Sequence, residues 1–221
     1  MRLGSKLPWT AAVWVLTASA AVGASCDGMP DAPIAKITVD LPQPREPSIV
    51  PATETVIRSR AASTGSGLPA EAATRGITID RTDARAELTL AQITGAADRC
   101  IALSALHGEV RSTELSVLID RRYPSGSCQY EAILAHERQH VQISHEALAH
   151  VGSLLERRLR QVAERWSGRW LAAGQEKQIR DEVDRALTEA TGEAHDLADQ
   201  RNREADSPKS YAAVQARCER W

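Results

Sequence analysis

From about Gln129 past Val162 the chain carries a helical period, and this stretch limits what the remainder can fold into. On a wheel turning about 100° per residue, Tyr130, Ile133, Val141, Leu148, Val151, Leu155, Leu159 and Val162 form one apolar stripe. His136, Glu137 and His140 fall on that stripe or at its margin, whereas Arg138 and Gln139 point away from it. Three titratable groups turned toward a core are costly to bury without a partner, and a metal ion satisfies all three at once. A solvated polar helix start, or two core histidines bonded to a sheet, would not account for Glu facing inward while Arg and Gln face out.

Residues four apart stand one above the other on a helix, so His136 and His140 can offer ring nitrogens to one tetrahedral ion with Glu137 alongside. The His-Glu-x-x-His spacing suits zinc-assisted hydrolysis. Zinc lowers the pKa of a bound water to about 7, and a neighbouring carboxylate takes its proton as the water attacks a carbonyl.

The 221 residues correspond to one domain, or one domain with an extension. Five Trp, three Tyr and no Phe mean that the core is built from Leu, Ile, Val and Ala. Residues 1–24 read as a signal peptide: Arg2 and Lys6 give a positive start, Trp9 to Val22 an apolar run too short to prefer as an anchor, and Val22-Gly23-Ala24 a cleavage site. Cys26 follows Gly23-Ala24-Ser25 and is a candidate for a lipid anchor, although the leucine usual three residues before such a cysteine is Gly23.

Export puts the cysteines in an oxidising compartment, and Cys26, Cys100, Cys128 and Cys218 are spaced too widely for a CxxC site, so they read as bridge partners. Cys128–Cys218 would form if two C-terminal helices are antiparallel; Cys100–Cys128 is the competing pairing. Losing residues 1–24 removes Arg2 and Lys6 and no acid, leaving 25 basic against 29 acidic residues, a balance of −4. With no basic block, nucleic acid and anionic membranes are not expected partners, and no transmembrane helix is expected in the mature chain.

Residues 25–75 are loop-like and expected to be partly disordered, with seven prolines, candidate strands at Ile34–Leu41 and Thr55–Arg58, and a linker at Ala61–Gly67. They could also lie across a cleft as a pro-segment. From Gly76 to Tyr123 the period becomes two: Ile77 and Ile79; Ala86, Leu88 and Leu90; Ile101 and Leu103; Leu115, Val117 and Ile119. Gly95, His107-Gly108 and Pro124-Ser125-Gly126 mark corners, and His107 is a turn residue rather than a ligand. The strand from Leu115 to Asp120, if it is the exposed edge, could hold an extended peptide.

Beyond Gly126, helices are expected over 129–170, with Ser127 as cap, and 175–205, with Gly168 and Gly174 bracketing the reversal and Pro208 beyond the end. The fold expected is α+β: a small antiparallel sheet (76–123) packed on a C-terminal antiparallel pair of long helices.

A catalytic zinc takes three protein ligands, so two histidines leave one to find. His145 and His150 turn off the metal face. An antiparallel partner of position 138 falls roughly between residues 198 and 210. There Glu204 projects with Ile179, Ala190 and Leu197 toward the first helix, Asp199 points away and Asp206 lies at a fraying end. Glu204 is therefore the expected third ligand, with Glu193, His195 and Asp199 as rivals.

An HExxH helix followed by a second helix offering a glutamate resembles the gluzincin class of zinc metallopeptidases. A strand, a turn, Ser127-Cys128-Gln129-Tyr130 and then His136-Glu137-Arg138-Gln139-His140 look like a group of secreted bacterial proteins described as predicted zinc-dependent proteases. The likeness covers roughly Gly76 to the C-terminus. It implies a zincin-like active-site helix, His136 and His140 as Zn2+ ligands, Glu137 as general base, and a peptide or protein substrate.

The expectation is thus an exported, periplasmic or extracellular zinc hydrolase cleaving peptide bonds, with Tyr211 or an edge-strand amide at the oxyanion. The alternatives are a cell-wall amide hydrolase using the same site, or a non-catalytic envelope protein with a partner-binding helix hairpin.

Overall fold

The computed structural model describes Cys26 and residues 28–41, 43–63, 75–94 and 99–221; the expected signal peptide and most of the expected linker lie outside the described residues. Two long strands form the spine. β3 (Gly76–Thr94) and β4 (Arg99–Asp120) pair antiparallel from Gly76↔Ile119 to Thr94↔Arg99. The alternation that suggested four short strands belongs to these two. No corner forms at His107-Gly108, which lie inside β4 opposite Glu87 and Ala86. Gly108 serves close packing instead: a Cβ there would stand 2.9 Å from Leu155 Cδ2 and 3.2 Å from Val39 Cγ2.

The expected antiparallel sheet is corrected by two parallel pairings. β1 (Lys36–Asp40) and β2 (Ser48–Ala52) run parallel to β4, Lys36 opposite Ala105 and Ser48 opposite Ser116. With β5 (Leu171–Ala172) antiparallel to β4, the sheet formed by the described residues is mixed and five-stranded. Period-two alternation marks a strand but carries no direction; direction follows from the connections. β4 is consequently central, flanked by β3 on one side and by β1, β2 and β5 on the other, so the exposed edge that peptide pairing along Leu115–Asp120 would need is not there.

Thr55–Arg58 is helical, not extended. It lies in α1 (Glu54–Ser63), where the Thr53 hydroxyl accepts from Val56 N at 3.3 Å. Ile57 and Ala61, four apart, bury against Ile77, Ile79 and Leu118 on the far face of the sheet. That burial outweighs the β-preference of Thr55, Val56 and Ile57.

On the other face lies α2 (Cys128–Trp166), started by Ser127 Oγ accepting from Tyr130 N and followed by Gly168 at φ 73°. α3 (Glu176–Ala205) follows, then α4 (Pro208–Gln215), capped by Ser207 with Pro208 in its first turn. Leu155, Leu159, Ile179 and Val183 share one core with Ile101, Leu103 and Leu106 of β4. Among the described residues the architecture is α+β, with four helices around a mixed sheet in place of an antiparallel sheet on one helix pair.

Two disulfides are present, Cys26–Cys100 and Cys128–Cys218. Cys100–Cys128, the competing pairing, does not form. The Cys26 sulfur is bonded to Cys100, so it is not available for a lipid thioether. Among the described residues no helix is long and apolar enough to cross a membrane.

The Cys128–Cys218 bridge closes 90 residues and returns the C-terminus to the start of α2. α4 buries no residue of its own, so the bridge, a 2.6 Å bond from Gln129 Nε2 to Arg220 O and the edge contact of Trp221 on Tyr123 hold that end of the chain. Replacing Cys128 and Cys218 together by serine is expected to lower unfolding free energy by about 2–5 kcal/mol, read by urea denaturation.

Candidate metal centre

α2 reaches the site with its orientation already set. Ile133, Leu134 and Val141 pack on Leu115, Val117 and Ile119 of β4, which turns His136 and Glu137 inward and leaves Arg138 and Gln139 exposed. His136 and Glu137 are 5% and 4% exposed, among the three buried polar or charged side chains of the described core.

The third group comes from the corner between α3 and α4. Asp206 caps the end of α3, its N–H bonded to Asn202 O at 2.8 Å, and Ser207 starts α4 directly after it. His136 Nε2, His140 Nε2 and Asp206 Oδ1 then form a triangle with every side 3.2 Å. A tetrahedral ion about 2.0–2.1 Å from each ligand separates its ligand atoms by about 3.3–3.4 Å, so the triangle has the dimensions of three of its corners. His136, His140 and Asp206 could therefore hold a metal ion.

The groups around the triangle fix it in place. Tyr211, on α4, donates to Asp206 Oδ1 at 2.8 Å, and its ring lies 5.2 Å from that of His136. Asn202 Oδ1 stands 2.9 Å from His140 Nδ1. The Thr78 hydroxyl, on β3, lies 2.9 Å from Glu137 Oε2. Gly76 leaves room for this carboxylate, since a Cβ there would stand 2.8 Å from Glu137 Oε1 and 2.6 Å from Ile133 Cγ2.

Charge is unevenly distributed over these groups. Burial pushes the Glu137 carboxyl above the ordinary carboxylate range, against the pull of His140, His136 and Thr78. Burial opposes charge on His140 too, but the Asp206 hydrogen bond, Glu137 and Asn202 outweigh it and raise the ring to about 9. Burial would raise Asp206, yet bonds from His136, His140 and Tyr211 hold it well below the usual range. Burial and the Asp206 charge push the Tyr211 phenol up, keeping it protonated.

A metal must displace the His140 proton, so affinity should rise about tenfold per pH unit up to about pH 9 and then level, as followed by competition with a chromophoric chelator. Without metal the sign reverses. A raised histidine pKa stabilises the fold fully below pH 6.5, and that contribution is lost between pH 6.5 and about 9.

Glu204, the expected third ligand, is exposed and accepts from Gln200 Nε2 at 3.2 Å; Asp206, two residues on, stands in its place. Glu193 is exposed and paired with Arg158, while the exposed His195 lies 3.5 Å from Asp199. His145 bonds Arg45 O, and His107 bonds Thr38 Oγ1. The expected helix ending treated Asp206 as frayed, but Ser207-Pro208 is a helix-start signature that would have marked a structured corner there. Thr78 and Asn202 carried no such signal.

Comparison of the chain with protein-family models, with curated proteins and with solved structures gives no match.

Proposed function

We propose that this chain is an exported zinc-dependent hydrolase, of the metallopeptidase kind, acting in the periplasm or outside the cell. The observation that carries the reading is the 3.2 Å triangle of His136 Nε2, His140 Nε2 and Asp206 Oδ1 with Glu137 beside it on the same helix. Three protein ligands of N, N and O type leave a fourth position open, the pattern of catalytic rather than closed structural zinc. The two disulfides favour an oxidising compartment.

Bound there, zinc would acidify a water and polarise a carbonyl. Glu137 would take the proton of that water and pass it to the leaving amine. Its burial suits the task, because a carboxylate held short of full hydration is a stronger base, and Thr78 keeps it aimed. Tyr211, protonated and next to the triangle, would hold Asp206 through its one hydroxyl proton and keep that carboxylate aimed at the two imidazoles.

The test is hydrolysis of unstructured peptide substrates by the purified chain. Loss of cleavage with a chelator and recovery with one equivalent of zinc are expected. Cleavage unaffected by the chelator, or no cleavage by the zinc-loaded chain, would contradict the reading.

A further inference from the structure

We propose that Asn202 is a positioning residue that decides which nitrogen of His140 is free to bind the ion; the inference rests on the metal reading above. A neutral imidazole carries one proton and has one lone pair, and the two tautomers lie close in energy. His140 can serve as a ligand through Nε2 only if its remaining proton sits on Nδ1. Asn202 Oδ1, 2.9 Å from Nδ1, accepts that proton's hydrogen bond and, once the ring is neutral, leaves the Nε2 lone pair facing His136 and Asp206.

The reverse arrangement is chemically available and would spoil the site. Were the Asn202 amide turned, its NH2 would donate to Nδ1, the proton would move to Nε2, and that N–H would bond Asp206 Oδ1 across the same 3.2 Å. The triangle would then be closed by a hydrogen bond in place of an ion. Only the first amide orientation lets the neutral ring present its Nε2 lone pair to an ion.

His136 has no equivalent partner. Its Nδ1 is buried with no hydrogen bond from the described residues, and packing against the rings of Tyr211 and His140 holds it instead. The two ligands are therefore fixed by different means, and only His140 should respond to residue 202. α3 also delivers both halves of the device in its last turn, since Asn202 O accepts from the N–H of Asp206. The Asn202 side chain thus meets His140 from behind while Asp206 faces it from the front.

The experiment compares zinc affinity of the wild type, Asn202→Leu, which removes the acceptor at similar volume, and Asn202→Asp, which keeps it. Nitrogen NMR of the His140 ring in the metal-free wild type, at alkaline pH where the ring is neutral, is recorded alongside. Asn202→Leu should bind zinc about 10–100-fold more weakly, Asn202→Asp should bind within a few-fold of the wild type, and the ring should carry its proton on Nδ1. Equal affinity of wild type and Asn202→Leu, or a proton on Nε2, would overturn the assignment while leaving the metal reading intact. Should Asn202→Leu fail to fold, the ring spectrum of the wild type decides alone. Absence of zinc binding by the wild type would overturn both.

Discussion

Asp206→Ala is expected to weaken zinc binding by more than the ~10–100-fold that follows loss of a ligand's hydrogen-bond partner, while Glu204→Ala binds as the wild type does. The two acids are two residues apart, but only Asp206 is set 3.2 Å from both imidazole nitrogens; Glu204 is exposed and bonded to Gln200. Asp206→Ala also removes the acceptor of the Tyr211 hydroxyl, so α4 should loosen along with the site. Chelator competition on the two variants measures the contrast. An Asp206→Ala chain that keeps wild-type affinity would remove Asp206 from the site, and a Glu204→Ala chain that loses it would return Glu204 to it.

Glu137→Gln is expected to keep zinc and lose turnover by about 10²–10⁴-fold, because the amide fills the same space but cannot accept a proton. The same variant should change stability in a direction that a surface substitution would not. Burial raises the Glu137 pKa, so the folded chain binds its proton more tightly than the unfolded chain does. Stability of the metal-free wild type therefore falls as pH rises above about 4.5, through the folded value, and glutamine removes that loss. Metal-free Glu137→Gln should consequently match the wild type in acid and exceed it at neutral pH in thermal melts. Equal turnover of the two proteins would remove Glu137 from the chemistry.

Much of α2 was legible because a helix repeats its directions. Ile133, Val141, Leu148, Leu155 and Leu159 are buried, and His136 and Glu137 lie with them while Arg138 and Gln139 face water, all from one 3.6-residue period. The sheet was legible only as strands. Alternation identified Ile77, Ile79 and Leu115–Ile119, but the parallel pairing of β1 and β2, and the central place of β4, depend on how segments far apart in the chain come together. His107-Gly108 illustrates the ambiguity of glycine: the same residue that permits a turn also permits Leu155 to approach a strand.

The third member of the candidate metal group eluded the sequence for a related reason. Position along an antiparallel helix pair indicated the right window, but facing was judged on a continuous helix. Asp206 sits where α3 stops, at φ −88° and ψ 16°, and this break in the helical path aims its carboxylate at the histidines. The partners that fix the ligands, Asn202, Tyr211 and Thr78, are ordinary residues in sequence and acquire meaning only through distances of 2.8–2.9 Å.

The most direct test of the account is titration of the metal-free chain with cobalt(II), followed by its visible absorption and then by displacement with zinc. One equivalent giving the intense bands of a tetrahedral nitrogen and oxygen site, absent when His136 and His140 are both alanine, is the result predicted. No stoichiometric binding, or binding indifferent to those two substitutions, would contradict it.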